Sequence, residues 1–220
     1  MYAMTQCKKM MVSSPPRFLW KKWVDATVAV LLASSLSGAV YADQASVPAR
    51  GSHKTMANDL RARSRDIHWP NGFDPVSADL FAHNELLIHA SCETVWNHIV
   101  DAKRWPSWYP NSSNVDLLDG AKILDPDVRW RWTTFGLSIE SQVHEYVRDS
   151  RLGWYGYPPG AKPAFYHTWL LHPQGGDCMV VMEEAGVGKA VAQFREADEG
   201  RMHRGHDLWL ATLKWVSEGP

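Results

Sequence analysis

The chain has 220 residues, of which 45% are hydrophobic and 21% charged, and its formal net charge is -1. These values are ordinary for a globular protein, and a chain of this length can bury a sizeable core without disulfides or metals as staples. The nearly neutral charge argues against a dedicated nucleic-acid-binding protein, which usually carries a basic face. The twelve tryptophans are unusual. Because an indole is large and its N–H needs a partner, so many of them require either a large core or a lined cavity.

The first 42 residues have the pattern of a secretory signal peptide. Five basic residues precede a short apolar run at 26–40, and small residues follow just before Asp43. The run is too short and too rich in small residues for a good membrane-spanning helix. We therefore predict a periplasmic or secreted protein with no stable membrane span after cleavage. Two alternatives remain open: an uncleaved membrane anchor, or translation from Met56, which would give a cytoplasmic protein.

Export would change the number of cysteines in the mature chain. Cleavage before Asp43 removes Cys7 and leaves Cys92 and Cys178. An even pair of cysteines in an oxidising compartment can form a disulfide. The alternative is two buried free thiols.

Residues 43–77 form a predicted linker and N-terminal arm. Small, polar and charged residues dominate this segment, and no apolar period is sustained. Trp69 and Phe73 flank a turn within it. These two aromatic side chains are expected either to pack on the following domain or to bind a partner protein.

The domain itself is predicted at 78–217 and opens with a strand at 84–89. Ser91 is a good helix N-cap, and apolar residues then recur at helical spacing up to Val100. Two prolines limit 101–109 to a short second helix or turn. Six strands are predicted next, at about 113–118, 127–135, 137–147, 151–157, 164–172 and 177–184.

A long C-terminal helix is predicted at about 188–216, with a break near Gly200. Its apolar stripe contains Met202, His206, Trp209, Leu213 and Val216. The strand 137–147 alternates apolar and polar residues, which is typical of a half-buried antiparallel strand. The sequence therefore predicts an α+β domain with a mainly antiparallel sheet.

The order of these elements resembles the SRPBCC superfamily, which includes START domains, the birch-pollen-allergen type and the polyketide cyclase/dehydrase type. The resemblance covers about residues 80–217. It is carried by IHASCETVWNHIVDAKRWPSWYPN, with Trp105, Pro106 and Trp108 as a W-P-x-W element, and by GDCMVVMEE at 176–184. It implies a helix-grip fold, in which a curved antiparallel sheet of about seven strands wraps around the C-terminal helix. Two short helices follow the first strand, and a ligand cavity lies between sheet and helix.

Aromatic residues are the main candidates for lining that cavity. They would stack on a flat or ring-containing ligand, or simply fill the core. The predicted ligand-binding residues are Trp96, Trp130, Trp132, Trp154, Tyr155, Phe165, His167, Trp169, Glu184, His206 and Trp209.

Several titratable residues are candidates for acid/base chemistry or metal binding. His167 lies on the same strand face as Trp169, where an imidazole can contact a ligand or act as general acid/base. One of Glu183 and Glu184 must point inward if their strand is regular. His203 and His206 have metal-ligand spacing, but no third ligand is recognisable. We therefore predict no metal site and no cofactor, and expect His203 to be solvated.

The resemblance implies binding or transport of a small hydrophobic ligand, such as a lipid, an isoprenoid or an aromatic or polyketide-like compound. The alternative is a cyclase/dehydratase-like enzyme that uses a cavity His, Glu or Tyr as general acid/base. That reading requires at least two polar side chains converging in the cavity. A second alternative is a protein-interaction module with exposed Trp69 and Phe73. The sequence leaves the catalytic residues, the ligand and the oligomeric state open, because one fold supports many functions.

Overall fold

The computed structural model describes residues 55–219, which belong to one unit spanning Pro48–Pro220. The predicted signal peptide and the first part of the predicted linker lie outside the described residues. The central element is a seven-stranded antiparallel sheet that is curved and not closed. Its spatial order is β1-β7-β6-β5-β4-β3-β2. The strands are β1 (Leu80–Ile88), β2 (Ser112–Leu117), β3 (Arg129–Thr134), β4 (Leu137–Val147), β5 (Arg151–Tyr157), β6 (Phe165–Gln174) and β7 (Asp177–Gly186).

The helices are distributed around this sheet as a helix-grip fold requires, so the predicted fold is confirmed. They are α1 (Met56–Ala62), α2 (Cys92–Val100), a 3-10 helix (Ala102–Ser107), α3 (Lys189–Ala197) and α4 (Arg201–Glu218). The hydroxyl of Ser91 accepts a hydrogen bond of 3.1 Å from the Thr94 N–H and so caps α2. Among the described helices, none combines the length and apolar composition needed to cross a membrane.

Three features of the secondary structure differ from the sequence prediction or add detail to it. β1 begins at Leu80, four residues before the predicted start, because its first residues also pair with β7. The predicted break near Gly200 separates α3 from α4. Helix α1 was not predicted, since seven residues are too few to show a helical period. The Thr55 side chain caps it by accepting from the Asn58 N–H at 3.3 Å.

The inner face of the sheet packs on the helices through an aromatic core. Trp105 of the 3-10 helix is fully buried at its centre, and its indole N–H donates to the Ile99 carbonyl at 3.0 Å. Four other tryptophans contact its ring, namely Trp130, Trp132, Trp154 and Trp209. The Tyr109 ring stacks on Trp209 with centroids 4.4 Å apart. The W-P-x-W element therefore helps to fill the core between sheet and helix.

The outer face of the sheet is covered by the N-terminal segment. The Phe73 ring lies 5.8 Å from that of Tyr155, and the Trp69 ring lies 5.9 Å from those of Phe81 and Tyr166. Phe73 is buried and Trp69 half-buried. Both aromatic side chains are thus engaged within the chain, which removes the exposed pair on which the interaction-module alternative depended.

A disulfide joins Cys92 at the start of α2 to Cys178 near the start of β7. The two cysteines are therefore bonded, and the alternative of two free thiols does not describe this structure. The bond ties the first helix after β1 to the strand that pairs with β1.

Candidate functional site

A row of directly paired residues crosses the inner face of the sheet. His167 of β6 lies opposite Glu184 of β7 on one side and Trp154 of β5 on the other, and Glu184 lies opposite Ala82 of β1. Directly paired residues in an antiparallel sheet point to the same face. The row therefore presents an indole, an imidazole, a carboxylate and a methyl group to the core.

The turn between β6 and β7 fixes which residues meet in this row. Gly175 and Gly176 connect the strands, and Gln174 pairs with Asp177 across them. A two-residue turn sets the register of a hairpin for its whole length. Counting back from it puts position 167 opposite position 184. The Gly-Gly dipeptide is thus the sequence signal that places His167 opposite Glu184.

His206 of α4 completes a three-residue cluster with this pair, hereafter the His-Glu-His cluster (His167, Glu184 and His206). Glu184 Oε2 accepts from His167 Nδ1 at 2.9 Å and from His206 Nε2 at 3.1 Å. Both imidazoles are nearly fully buried, and Glu184 is 9% exposed. Two strands and one helix thus converge on a single carboxylate oxygen inside an aromatic core.

The charge states of the cluster follow from burial and hydrogen bonding. Burial lowers the pKa of His167 to about 4, although the hydrogen bond to Glu184 and its charge oppose the shift. Burial alone would raise the pKa of Glu184, but hydrogen bonds from His167 and His206 outweigh it and bring it to about 2. Near neutral pH, Glu184 is therefore a buried carboxylate and His167 a neutral imidazole.

The cluster borders a partly open cavity of about 40 Å³. Such a volume holds about two or three water molecules. Its lining residues are Trp132, Thr134, Phe135, Leu137, Ile139, Ser141, Trp154, Gly156, Phe165, His167, Glu184, Phe194, Met202, His206 and Trp209. The walls are mostly aromatic and aliphatic, and the three members of the cluster are the titratable residues among them. The cavity is small because most of the indoles fill the core.

Seven of the predicted ligand-binding residues border this cavity, namely Trp132, Trp154, Phe165, His167, Glu184, His206 and Trp209. The other four lie elsewhere. Trp96, Trp130 and Trp169 are buried in the core without bordering the cavity, and Tyr155 lies on the outer face against Phe73. Tyr155 follows Trp154 directly in a regular strand, so it must point to the opposite face.

Two phenylalanines outside the predicted set form an aromatic side wall of the cavity, and Arg201, which does not line the cavity, contacts both rings. Phe135 lies in the β3–β4 turn and Phe194 in α3, with their rings 6.0 Å apart. The Arg201 guanidinium lies 4.9 Å from the Phe194 ring and donates to the Phe135 carbonyl at 2.9 Å. The two phenylalanines are half-buried. Together with Arg201 they connect the β3–β4 turn to the short helix α3. An aromatic residue in the β3–β4 turn and another in α3 are the sequence features that indicate this wall.

Several polar atoms around the cavity have no hydrogen-bond partner within the described part of the chain. They include His167 Nε2, His206 Nδ1 and the indole Nε1 of Trp209. By contrast, Trp132 Nε1 donates to Ser141 Oγ at 3.1 Å. Buried polar groups are nearly always paired, so unpaired ones at a cavity are candidates for binding water or ligand.

His203 and His206 do not act as a pair. His203 is 3% exposed rather than solvated as expected, because its Nδ1 contacts Asp59 Oδ2 of α1 at 3.2 Å. His206 instead contacts Glu184 in the cluster. The prediction of no metal site rested on the missing third ligand for the 203/206 pair. The structure instead brings His206 together with His167 and Glu184, whose ligand atoms all lie within 4.8 Å of one another.

Comparison with known proteins agrees with this fold. Residues 83–214 match the family model described as polyketide cyclase / dehydrase and lipid transport. The chain belongs to this family. It therefore also belongs to the SRPBCC superfamily, as the sequence resemblance implied. A search of curated proteins finds no significant match.

Solved structures give the same answer for the fold. A hypothetical protein, jhp0584, from Helicobacter pylori is 28% identical with a TM-score of 0.64, over 70% of this chain and 98% of that one. A protein from Thermobifida fusca is 17% identical with a TM-score of 0.50, over 62% and 92% of the two chains. At 17% identity the second likeness concerns the fold alone. The family description supports a ligand-binding fold, and the ligand itself has to be argued from the site.

Proposed function

We propose that the cavity binds a small apolar molecule, one or two rings in size, that carries one polar group. The observation that supports this is the His-Glu-His cluster at the edge of an otherwise apolar cavity. Burying a carboxylate in an aromatic core costs stability unless the charge is well paired. A few polar groups placed in an apolar pocket are the usual arrangement for orienting a ligand.

The size of the cavity favours a compact ligand within the range that the sequence suggested. Drug-sized ligands occupy pockets of roughly 300–1,000 Å³, far more than the 40 Å³ present here. A ligand therefore enters only if side chains move. Phe135 and Phe194 lie on a turn and a short helix, which move more easily than the sheet. Their displacement suits a ring system better than a long acyl chain.

Mass spectrometry of an organic-solvent extract of the purified full chain tests this proposal. We expect an apolar compound in near-stoichiometric amount, or a response of tryptophan fluorescence to a panel of one- and two-ring phenols and ketones. Glu184→Gln should weaken that response at least tenfold, since hydrogen bonds to charged groups contribute about 1.5–3 kcal/mol. An empty extract combined with no fluorescence response to the panel would contradict the proposal.

An acid/base enzyme is the second candidate, and the convergence of titratable groups favours it. An enzyme reading required at least two polar side chains within hydrogen-bond reach, and the cluster contains three. With His167 Nδ1–H donating to Glu184, Nε2 of a neutral His167 holds a free lone pair. That arrangement, an imidazole oriented by a carboxylate, is one that general bases use.

Incubating the compound identified above with fresh protein separates the two candidates. A carrier returns the compound unchanged, whereas an enzyme yields a product whose rate of formation falls in His167→Gln. The matched control is His172→Gln, the same substitution further along β6, where the residue is half-buried and outside the cavity lining.

Export of the protein is proposed alongside ligand binding. The Cys92–Cys178 disulfide supports it, because disulfides form and persist mainly in oxidising compartments. The N-terminal sequence pattern supports it independently.

A further inference from the structure

We propose that His167, Glu184 and His206 bind a divalent first-row transition metal ion. The inference goes beyond the binding of an organic ligand. It can be tested on protein that has no organic ligand bound. It rests on the chemistry of the three donors, on their spacing and on the elements that hold them.

The donor set is one that proteins use for such ions. Two imidazoles and one carboxylate bind zinc in sites that keep a position open for water or substrate. The same donors bind non-haem iron(II). Imidazole nitrogen in addition favours these ions over Mg²⁺ and Ca²⁺, which prefer ligand sets made of oxygen. The cluster contains this set and is enclosed by apolar walls.

The spacing of the donors fits a common ion. Ligands about 2.1 Å from a tetrahedral zinc ion lie about 3.4 Å from one another. Glu184 Oε2 is 2.9 Å from His167 Nδ1 and 3.1 Å from His206 Nε2, and all three atoms fall within 4.8 Å. Small side-chain rotations bring them to the required separations.

The backbone holds two of these donors in fixed positions. His167 and Glu184 are directly paired on adjacent central strands, and His206 lies on α4 near its buried start. Sites built on strands and helices hold their ligands more rigidly than sites on loops. The far nitrogens, His167 Nε2 and His206 Nδ1, have no partner among the described residues. Neither far nitrogen accepts a hydrogen bond there, so each can carry the ring proton when the nitrogen next to Glu184 binds the ion.

Three protein ligands leave at least one coordination position free. All three residues border the cavity, so that position faces the space where the organic ligand is proposed to sit. A ligand with an oxygen donor, such as a ketone, a carboxylate or a phenolate, would complete the coordination. The ion would then select among apolar compounds by their oxygen group.

Calorimetric titration with Zn²⁺ tests this inference. The protein is the full chain, treated with chelator and lacking a histidine tag. We expect one ion per chain. His206→Gln and Glu184→Gln should each weaken binding at least about 100-fold, because losing a ligand costs more than losing an outer-shell partner. His203→Gln is the matched control, the same change one turn earlier on the same helix, and should leave the affinity unchanged.

Co²⁺ provides a readout that does not depend on the variants. Bound at three protein ligands, it should give visible d–d absorption bands that disappear when Zn²⁺ is added. Nitrogen NMR of the wild-type imidazoles should show Zn²⁺ shifting Nδ1 of His167 and Nε2 of His206. If His206→Gln fails to fold, judged by circular dichroism, these two measurements decide.

Two outcomes would overturn the metal site. One is the absence of a stoichiometric heat and of Co²⁺ bands in the wild type. The other is Zn²⁺ binding that survives in folded His206→Gln, which would assign the ion to exposed histidines. Neither outcome affects ligand binding by the chelator-treated protein, so the metal site and the proposed function fail separately.

Discussion

Glu183 and Glu184 are neighbours in β7 but belong to opposite faces of the sheet. Glu184 meets His167 and His206 beside the cavity. Glu183 is fully buried under the N-terminal segment, where its Oε1 accepts from His83 Nδ1 and from the Ser64 N–H, both at 2.6 Å. We therefore expect Glu184 to contribute to ligand binding and Glu183 to contribute to the stability of the fold.

Replacing Glu183 or Glu184 by glutamine should affect different properties of the protein. Glu183→Gln removes a charge that holds the N-terminal segment on the sheet, so we expect the free energy of unfolding to fall by about 1–3 kcal/mol. Ligand binding should stay at the wild-type level. Glu184→Gln should weaken ligand binding, because it removes the carboxylate beside the cavity. Urea unfolding and fluorescence titration measure both, and equal loss of binding in the two variants would contradict the assignment.

The fold was predictable from sequence because its signals are local. Alternation along β4 and the Ser91 cap of α2 each lie within a few residues. Strand parity likewise showed that one of Glu183 and Glu184 faces inward. The cluster was harder, because it depends on the register of β6 with β7 and on how α4 docks, which brings residues 17 and 22 positions apart from Glu184 onto one oxygen. The cavity volume depends on side-chain packing, and the periodicity of apolar residues in the sequence does not predict that packing.

Opening of the aromatic side wall should control ligand entry. Phe194→Ala removes one of the two rings that close the cavity on that side, so we expect faster association with a ring-sized ligand in stopped-flow fluorescence. Gln193→Ala, an exposed position on the same helix, is the control. An unchanged association rate in Phe194→Ala would place the entrance elsewhere.

Gly205→Ala tests the same wall from the side of α4. A Cβ at this position would lie 2.3 Å from Phe135 Cζ, so the Phe135 ring would have to move aside. The contact involves the end of a side chain, and alanine favours a helix more than glycine does. The fold should therefore persist while the association rate rises, and a slower rate would show that Phe135 guides the ligand rather than blocking it.

The state of the cysteines tests export. If the chain is exported and cleaved before Asp43, alkylation of the denatured, unreduced protein should find no free thiol, because Cys7 is gone and Cys92 is bonded to Cys178. An exported but uncleaved chain should give one thiol. In protein trapped directly from cells, three thiols, or two if translation starts at Met56, would point to a reducing compartment.

The disulfide should also contribute to stability, because it restricts the unfolded chain over a sequence separation of 86 residues. Cys92→Ser with Cys178→Ser should lower the free energy of unfolding by about 2–5 kcal/mol. Urea unfolding of the double variant and of reduced wild type should agree. A variant as stable as the oxidised wild type would show that packing alone holds α2 against β7.

Acid should destabilise the chelator-treated protein in two stages. The pKa of His167 falls from its ordinary 6.5 to about 4 on folding, so between these values the unfolded chain binds more protons. The free energy of unfolding therefore decreases as the pH falls from 6.5. Glu184, whose pKa falls from 4.5 to about 2, adds to the loss below pH 4.5. Both contributions are fully present above pH 6.5.

Urea unfolding of wild type and His167→Gln between pH 4.5 and 7.5 isolates the first stage. Removing the imidazole should flatten the dependence of unfolding free energy on pH in this window, because Glu184 contributes only below it. His172→Gln, which also removes one imidazole from β6 but not from the cavity, should keep the wild-type slope. A slope in His167→Gln as steep as in wild type would show that His167 is not the buried neutral base of the cluster.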